Sequence, residues 1–362
     1  MTSPDRQHHV LITGGAGFVG ANLAVQLSKR HPEWAITAFD NLYRRGSEMN
    51  LPRLEAAGVE FVRGDVRDLD EIEALPRIDA LVECSAEPSA LAGVDGETGY
   101  AIQTNLVGAD NCLELTRRDQ AQLVFLSTSR VYPVASLAAL ELDEAATRFA
   151  IAAGQRLAGA SPAGIAEDFP LEGARTLYGT TKLAAELLIT EYAEMFGLQT
   201  AINRCGVIAG PWQMGKVDQG VFTYWLMAHH FDMPLSYIGF GGSGKQVRDL
   251  LHIDDLIDLV NDQLERPDHW NGITANVGGG VDVSLSLIET TELCRELTGR
   301  ELKITRADED RPGDVAVYIS DCTKLNSITD WRPQRDARTI LSDINGWIKA
   351  NDAMIRATLI DS

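Results

Sequence analysis

Along the N-terminal half of the chain, short apolar runs alternate with longer amphipathic stretches. His9-Val10-Leu11-Ile12-Thr13 is too short a run for a helix and reads as a strand, and helical periodicity follows from Ala21 to Lys29. Further strands fall at Ala35 to Phe39, Val59 to Arg63, Ala80 to Cys84, Leu123 to Leu126 and Thr200 to Arg204. Helical spacing marks Tyr100 to Arg117 and Thr176 to about Phe196. Strands that alternate with helices predict an α/β fold built on a doubly wound parallel sheet, the Rossmann arrangement. Such a sheet takes its ligands at the carboxyl ends of its strands.

Polar and glycine motifs stand at those ends. The first strand runs into Gly14-Gly15-Ala16-Gly17-Phe18-Val19-Gly20. Glycines there let backbone N–H groups approach a pyrophosphate, and the next helix presents the positive end of its dipole. The second strand ends in Asp40, twenty residues after Gly20, where a carboxylate can accept both hydroxyls of an adenosine ribose. That charge repels a 2′-phosphate and favours NAD over NADP. Arg44 and Arg45 are the residues that would hold such a phosphate; otherwise they are solvated, or one faces the substrate. The third strand leads to Asp65, placed to meet an adenine amino group, and the fourth to Ser85-Ala86-Glu87. Asn105 lies in the Tyr100 helix, and Ser127-Thr128-Ser129 closes the fifth strand.

Tyr178 and Lys182 share one side of the Thr176 helix, four residues apart. A free phenol titrates near pH ~10, too high for a base in neutral water. A neighbouring ammonium favours phenolate, which makes Tyr178 a candidate proton shuttle. On a solvated helix face the same spacing would mean nothing, so its weight comes from the motifs around it.

From Val134 to Ala166 the chain is rich in alanine and small residues, and its position predicts either an irregular flap over the active site or an inert surface insertion. Beyond the sixth strand the texture changes to Gly210-Pro211-Trp212, Asp218-Gln219-Gly220, an aromatic helical stretch from Val221 to His230, and a glycine turn at Gly239 to Gly244. His252-Ile253-Asp254-Asp255 opens a helix with acidic residues in its first turn, as the helix dipole favours. A strand ending Asn276-Val277-Gly278, a helix Leu285 to Leu297 closed by Gly299, and a last helix from Asp336 complete the chain. The expected division is a nucleotide-binding unit over 1–207, rejoined by 250–277, and a smaller substrate lobe from 208–249 and 278–362.

With 362 residues, 45% hydrophobic and 23% charged, the chain can bury a substantial core. Its net charge of −20 argues against nucleic acid or an anionic membrane as a partner. No run of about 18 apolar residues suggests a membrane span, and Met1 to His9 lacks the apolar core of a signal peptide. The five cysteines are scattered and read as buried thiols in a reducing compartment, hence a cytoplasmic protein. The pairs His8-His9 and His229-His230 are badly arranged for one metal, so none is expected.

Taken together, Thr13 to Gly20, Asp40, Asp65, Asn105, Thr128, Tyr178 with Lys182, Arg248-Asp249 and Arg311-Pro312-Gly313-Asp314 resemble the extended short-chain dehydrogenase/reductases that modify nucleotide sugars. Asp40 to Gly46, Asp218 to Gly220 and Gly244 to Asp249 are most similar to CDP-paratose (CDP-tyvelose) 2-epimerases. The resemblance implies NAD contacts at Gly14, Gly17, Phe18, Val19, Gly20, Asp40, Asn41, Asp65, Val66, Ser85, Ala86, Asn105, Tyr178 and Lys182. It implies catalysis by Thr128, Tyr178 and Lys182 on a nucleotide-diphosphate sugar, a CDP-sugar being favoured. Glu87, Arg130, Gln219, Arg248 and Arg311 would meet that substrate. Tyr178 would take a proton from a sugar hydroxyl while NAD takes hydride from the same carbon; the ketone would present its other face and receive the hydride back. Family pairing implies a homodimer, for which Leu183, Leu187, Ile189 and Tyr192 would form an apolar outer face. The chain departs from the family pattern at Leu177, Glu83 and Val207, where proline, histidine and asparagine are usual. Ser129-Arg130 replaces the Asp-Glu pair of 4,6-dehydratases, which argues against dehydration. A 4-epimerase, a reductase, or a non-catalytic NAD-binding regulator are the rival readings.

Overall fold

Seven apolar runs pair into one parallel sheet in this computed structural model, which describes residues 7–89, 91–94, 96–215, 219–309 and 311–360. Its strands are β1 His9–Thr13, β2 Ala35–Asp40, β3 Glu60–Arg63, β4 Ala80–Glu83, β5 Gln122–Thr128, β6 Thr200–Cys205 and β7 Ile273–Val277. They lie in the order β7-β6-β5-β4-β1-β2-β3, so the crossing point falls between β1 and β4, where a dinucleotide is expected to bind. Register puts Thr13 beside Glu83, Glu83 beside Phe125, and Thr128 beside Cys205.

Helices of ten residues or more are α1 Phe18–Arg30, α2 Gly108–Asp119, α3 Leu177–Phe196, α4 Val221–Phe231, α5 Ile253–Glu265, α6 Leu287–Thr298 and α7 Ala337–Ala350. Alternation along the strands sends Val10, Ile12, Val82, Val124 and Leu126 into the core under α1 and α5. Leu11, Leu81, Leu123 and Phe125 go the other way, against α2 and α3. Covering both faces is what lets the central strands be apolar throughout. No helix of the described residues is long and apolar enough to cross a membrane.

After β6 the chain builds a second core, in which α4, α6 and α7 pack around Phe222, Trp225, Leu226, Ile340 and Ile344. Beside it a small sheet joins Val207–Ala209, Val247–His252 and Ser284–Ser286, with Val317–Tyr318 along the middle strand. The chain then re-enters the large sheet through α5 and β7. His252 caps α5 through its Nδ1, and Ser286 with Glu289 forms a capping box on α6.

Three expectations change. The helix over Tyr100 to Arg117 is Thr98–Ile102, then a π-helical turn Gln103–Val107, then α2. The Val134–Ala166 segment does not overhang the site. It folds into a helix Val134–Ala138 and two short hairpins whose Ile151 and Ile165 pack with Val247, Val317 and Ile319. Ile165 exchanges backbone hydrogen bonds with Ile319 and Asp321, and Arg148 pairs with Glu289, so the segment is fastened to the second lobe. Ile189 is buried against the sheet rather than on an outer face, because it recurs four residues after the buried Ala185. Leu187 is the exposed apolar residue of that turn, with Met195 further along. Asp218, of the Asp218-Gln219-Gly220 motif, lies outside the described residues.

Candidate active site

The turn after β1 is shaped by contacts no side chain would allow. A Cβ on Gly14 would sit 2.9 Å from the Cys84 carbonyl, and one on Gly20 would sit 2.3 Å from the Gly14 oxygen. Gly17 occupies the N-cap of α1 and supplies no side-chain acceptor, which leaves the first N–H groups of the helix for a ligand. Gly14, Gly17, Phe18, Val19 and Gly20 line one cleft with Ala86, Thr128, Tyr178 and Lys182. Asp40, Asn41, Val66, Ser85, Ala86 and Glu87 line its continuation. The Asp40 carboxylate receives N–H bonds from Ala16 (3.2 Å) and Leu42 (2.7 Å). Burial, against those backbone bonds, holds its pKa above the ordinary value. A glycine cradle under a helix terminus with a carboxylate at the end of β2 fits a dinucleotide.

The reacting groups meet where β5 ends and α3 begins. Thr176 caps α3 by accepting from Gly179 N, which starts the helix one residue before Tyr178. Gly179 lies so close to the Ser129–Val131 turn that a Cβ would fall 1.9 Å from the Arg130 carbonyl. The Tyr178 phenol lies beside the Thr128 hydroxyl. Lys182, one turn on, is buried; its Nζ lies 3.2 Å from Glu83 Oε2 and 4.3 Å from the centre of the Phe125 ring. Burial pushes the Tyr178 pKa above its ordinary value, and the Lys182 charge and the Thr128 bond draw it back only in part. The ammonium does favour phenolate, as the spacing implies, but desolvation outweighs it. For Lys182 burial works downward, yet Glu83 first and Tyr178 second leave its pKa raised.

A second cleft opens on the lobe side of the same residues, lined by Arg130, Gln219, Trp225, Gln246, Arg248 and Arg311 among others. Arg130 and Gln219 belong to both clefts. Arg130 donates to the Gly313 carbonyl at 2.7 Å. Burial, and then the neighbouring Arg248, lower its pKa. Arg248 bonds Asp314 at 2.5 Å and the Val315 carbonyl at 2.7 Å. Guanidinium groups on a partly apolar wall are suited to a diphosphate.

Three expected residues are engaged by neighbouring groups. Asn105 sits in the π-helical turn, accepts from Glu87 N (2.7 Å), and donates to the Glu87 carbonyl and Thr181 Oγ1 (both 3.1 Å). Its amide is thereby spent on holding the loop after β4 against α3. Asp65 is gripped by Arg67 and by Asn41 Nδ2, and the Arg67 hydrogen bonds hold its pKa at about 2. Glu87 lines the Asp40 end of the cofactor cleft, not the lobe-side cleft, because Asn105 fastens its backbone there. Glu83, which sequence reading noted only as a departure, proves to be the buried partner of Lys182. The signal was a carboxylate at the inward position that alternation shares with Leu81.

Residues 10–278 match the NAD dependent epimerase/dehydratase family, and the chain belongs to that family. It is an extended short-chain dehydrogenase/reductase, and NAD is its cofactor. Among its relatives, CDP-paratose 2-epimerase of Salmonella typhi is 29% identical over 93% of this chain and 98% of that one. A dTDP-glucose 4,6-dehydratase of Mycobacterium tuberculosis is 30% identical over 71% of this chain and 69% of its own length. The fold is shared with UDP-glucuronic acid 4-epimerase from Bacillus cereus, solved with UDP-glucuronic acid and NAD, at TM-score 0.78 and 21% identity over 94% and 99% of the two chains.

Proposed function

We propose that this protein epimerises a nucleotide-diphosphate sugar in the manner of the CDP-paratose 2-epimerases, by transient oxidation of one sugar carbon. The observation that carries this reading is that Thr128, Tyr178 and Lys182 line the first cleft together with Arg130, which also lines the second. NAD supplies the acceptor and donor of hydride. Tyr178 takes the proton of the reacting hydroxyl and returns it, while Thr128 hydrogen-bonds the same oxygen. Lys182 holds positive charge beside the phenol and toward the nicotinamide ribose. Arg248, with Arg311, holds the diphosphate, which leaves the sugar between Arg130 and Tyr178. The keto-sugar turns its other face before the hydride comes back.

A base and an acid next to Thr128 would be needed to remove water, and Arg130 in that place supports epimerisation over dehydration. The reading includes Asp40 as the ribose ligand, a CDP-sugar as substrate, a cytoplasmic setting, and two copies paired through α2 and α3. NMR of the protein with CDP-, UDP-, GDP- and dTDP-sugars tests it. The expected product is an isomer of equal mass, formed without accumulating NADH and without deuterium from heavy water at the sugar carbon. A product lighter by one water, or net consumption of cofactor, overturns it.

A further inference from the structure

Glu83 ends the fourth strand of the large sheet, and alternation points it to the side of Leu81 and Phe125, into the core beneath α3. It is 1% exposed. A carboxylate in that position is costly without a partner, and two side chains meet it. Lys182 Nζ lies 3.2 Å from one oxygen, and the Ser85 hydroxyl donates to the other at 2.5 Å. Phe125, the register partner of Glu83 on β5, lies under the same ammonium. Lys182 is therefore held from the strand side by a charge and a ring, and its remaining donors face the cleft that Tyr178 lines.

We propose that Glu83 is the positioning residue of the Tyr178–Lys182 pair, a buried counter-ion that anchors the lysine ammonium over Phe125 and sets how much of its charge faces the phenol. The proposal rests on the reading of Tyr178 and Lys182 as the catalytic pair. The other titratable groups around them are Arg130 from the turn after β5, Cys84 just after β4, Cys205 at the end of β6 and Cys112 of α2. All three cysteines are thiols displaced toward higher pKa by burial, and Glu83 is the carboxylate paired with Lys182 in this cluster. Its charge opposes the attraction of the ammonium for a phenolate. Its grip stops the long lysine side chain from sampling other rotamers.

Glu83→Gln keeps the shape and one acceptor but removes the charge. The ionisation of Tyr178 is read without any sugar, as ultraviolet difference absorbance of the NAD complex against pH, with Tyr178→Phe as the blank. Loss of the anion removes both the charge that opposes a phenolate and the one that sustains the buried ammonium, so the midpoint is expected to move by about one pH unit. Calorimetry is expected to show NAD bound several-fold more weakly, because the amide no longer fixes the ammonium. A midpoint within about 0.3 unit of the parent, together with unchanged NAD affinity, overturns the proposal even if the variant melts earlier. If Glu83→Gln does not fold, Glu83→Asp keeps the charge but withdraws it from Nζ. It should shift the midpoint the same way by less and weaken NAD, and a match to the parent in both overturns the proposal. Absence of epimerase activity on every sugar would count against the proposed function alone, since neither readout uses a sugar.

Discussion

Removing the Tyr178 hydroxyl disturbs packing least and chemistry most. Tyr178→Phe should keep the fold and bind NAD, while turnover falls by about 10²–10⁴-fold, the usual loss for a general acid–base group; rates within a few-fold of the parent would reduce Tyr178 to a packing residue. Lys182→Met should weaken NAD as well as turnover, and it also strands Glu83 without its charge partner. Removing one member of a buried pair costs about 3–5 kcal/mol, so this variant should melt well below Tyr178→Phe. Asp40 carries a different expectation: calorimetry should show NAD bound more tightly than NADP, and the reverse order would make Arg44 and Arg45 phosphate ligands. Asp249 gives a pH signature in stability. It is fully buried, and burial raises its pKa to about 6. An acid that titrates higher folded than unfolded costs nothing below about pH 4, and its buried charge costs stability progressively as pH rises through 6. At about 1.4 kcal/mol per pH unit the full cost is roughly 3 kcal/mol. Asp249→Asn should therefore compare better with the parent in melting temperature at about pH 8 than at about pH 5; an equal difference at both would refute the assignment.

Helices and strands show which parts of the site the sequence could reveal. The β1 turn, the Asp40 strand and the start of α3 were legible, because each couples a local pattern to a ligand need that local pattern can express. Tyr178 and Lys182 declared themselves by helical spacing together with the motifs around them. Burial did not, and it is burial that raises the phenol. The π-helical turn at Asn105 was invisible, since one extra residue in a turn leaves apolar spacing almost intact. Sequence could not choose between a flap and an insertion for the Val134–Ala166 segment, because its contacts are to Val247, Glu289 and Ile319, far along the chain. Gly179 had a reason that only three dimensions supply, the carbonyl of Arg130 where its Cβ would be. Gly179→Ala must push α3 from that turn. Overpacking of this kind costs about 1–3 kcal/mol, and displacement of a reacting group by about an ångström costs about 10²-fold in rate. Both should appear together in melting and kinetic measurements; a variant with the parent's rate would show that the phenol is placed by other contacts. Leu187 and Met195, exposed on α3, belong to the proposed pairing of copies. Light scattering at micromolar concentration should give a dimer, and a Leu187→Glu variant should shift it toward monomer.

At the scale of the whole molecule, the two halves of the chain are joined across their own cleft. Arg44, from the loop after β2, hydrogen-bonds the Gln219 side chain from the second lobe, and both residues line the cleft that begins at Gly14 and Gly17. A dinucleotide bound in that cleft would have sheet, lobe and this link around it. A guest surrounded in this way leaves by waiting for the link to open, not by sliding out along a groove. For a reaction that ends with its cofactor in the state in which it began, retention has no penalty. Such a protein would behave as one that carries its redox partner as a fixture, insensitive to the proportion of oxidised and reduced cofactor in its surroundings. Exchange of bound for isotopically labelled NAD should then be slow compared with turnover, and Arg44→Ala should quicken it.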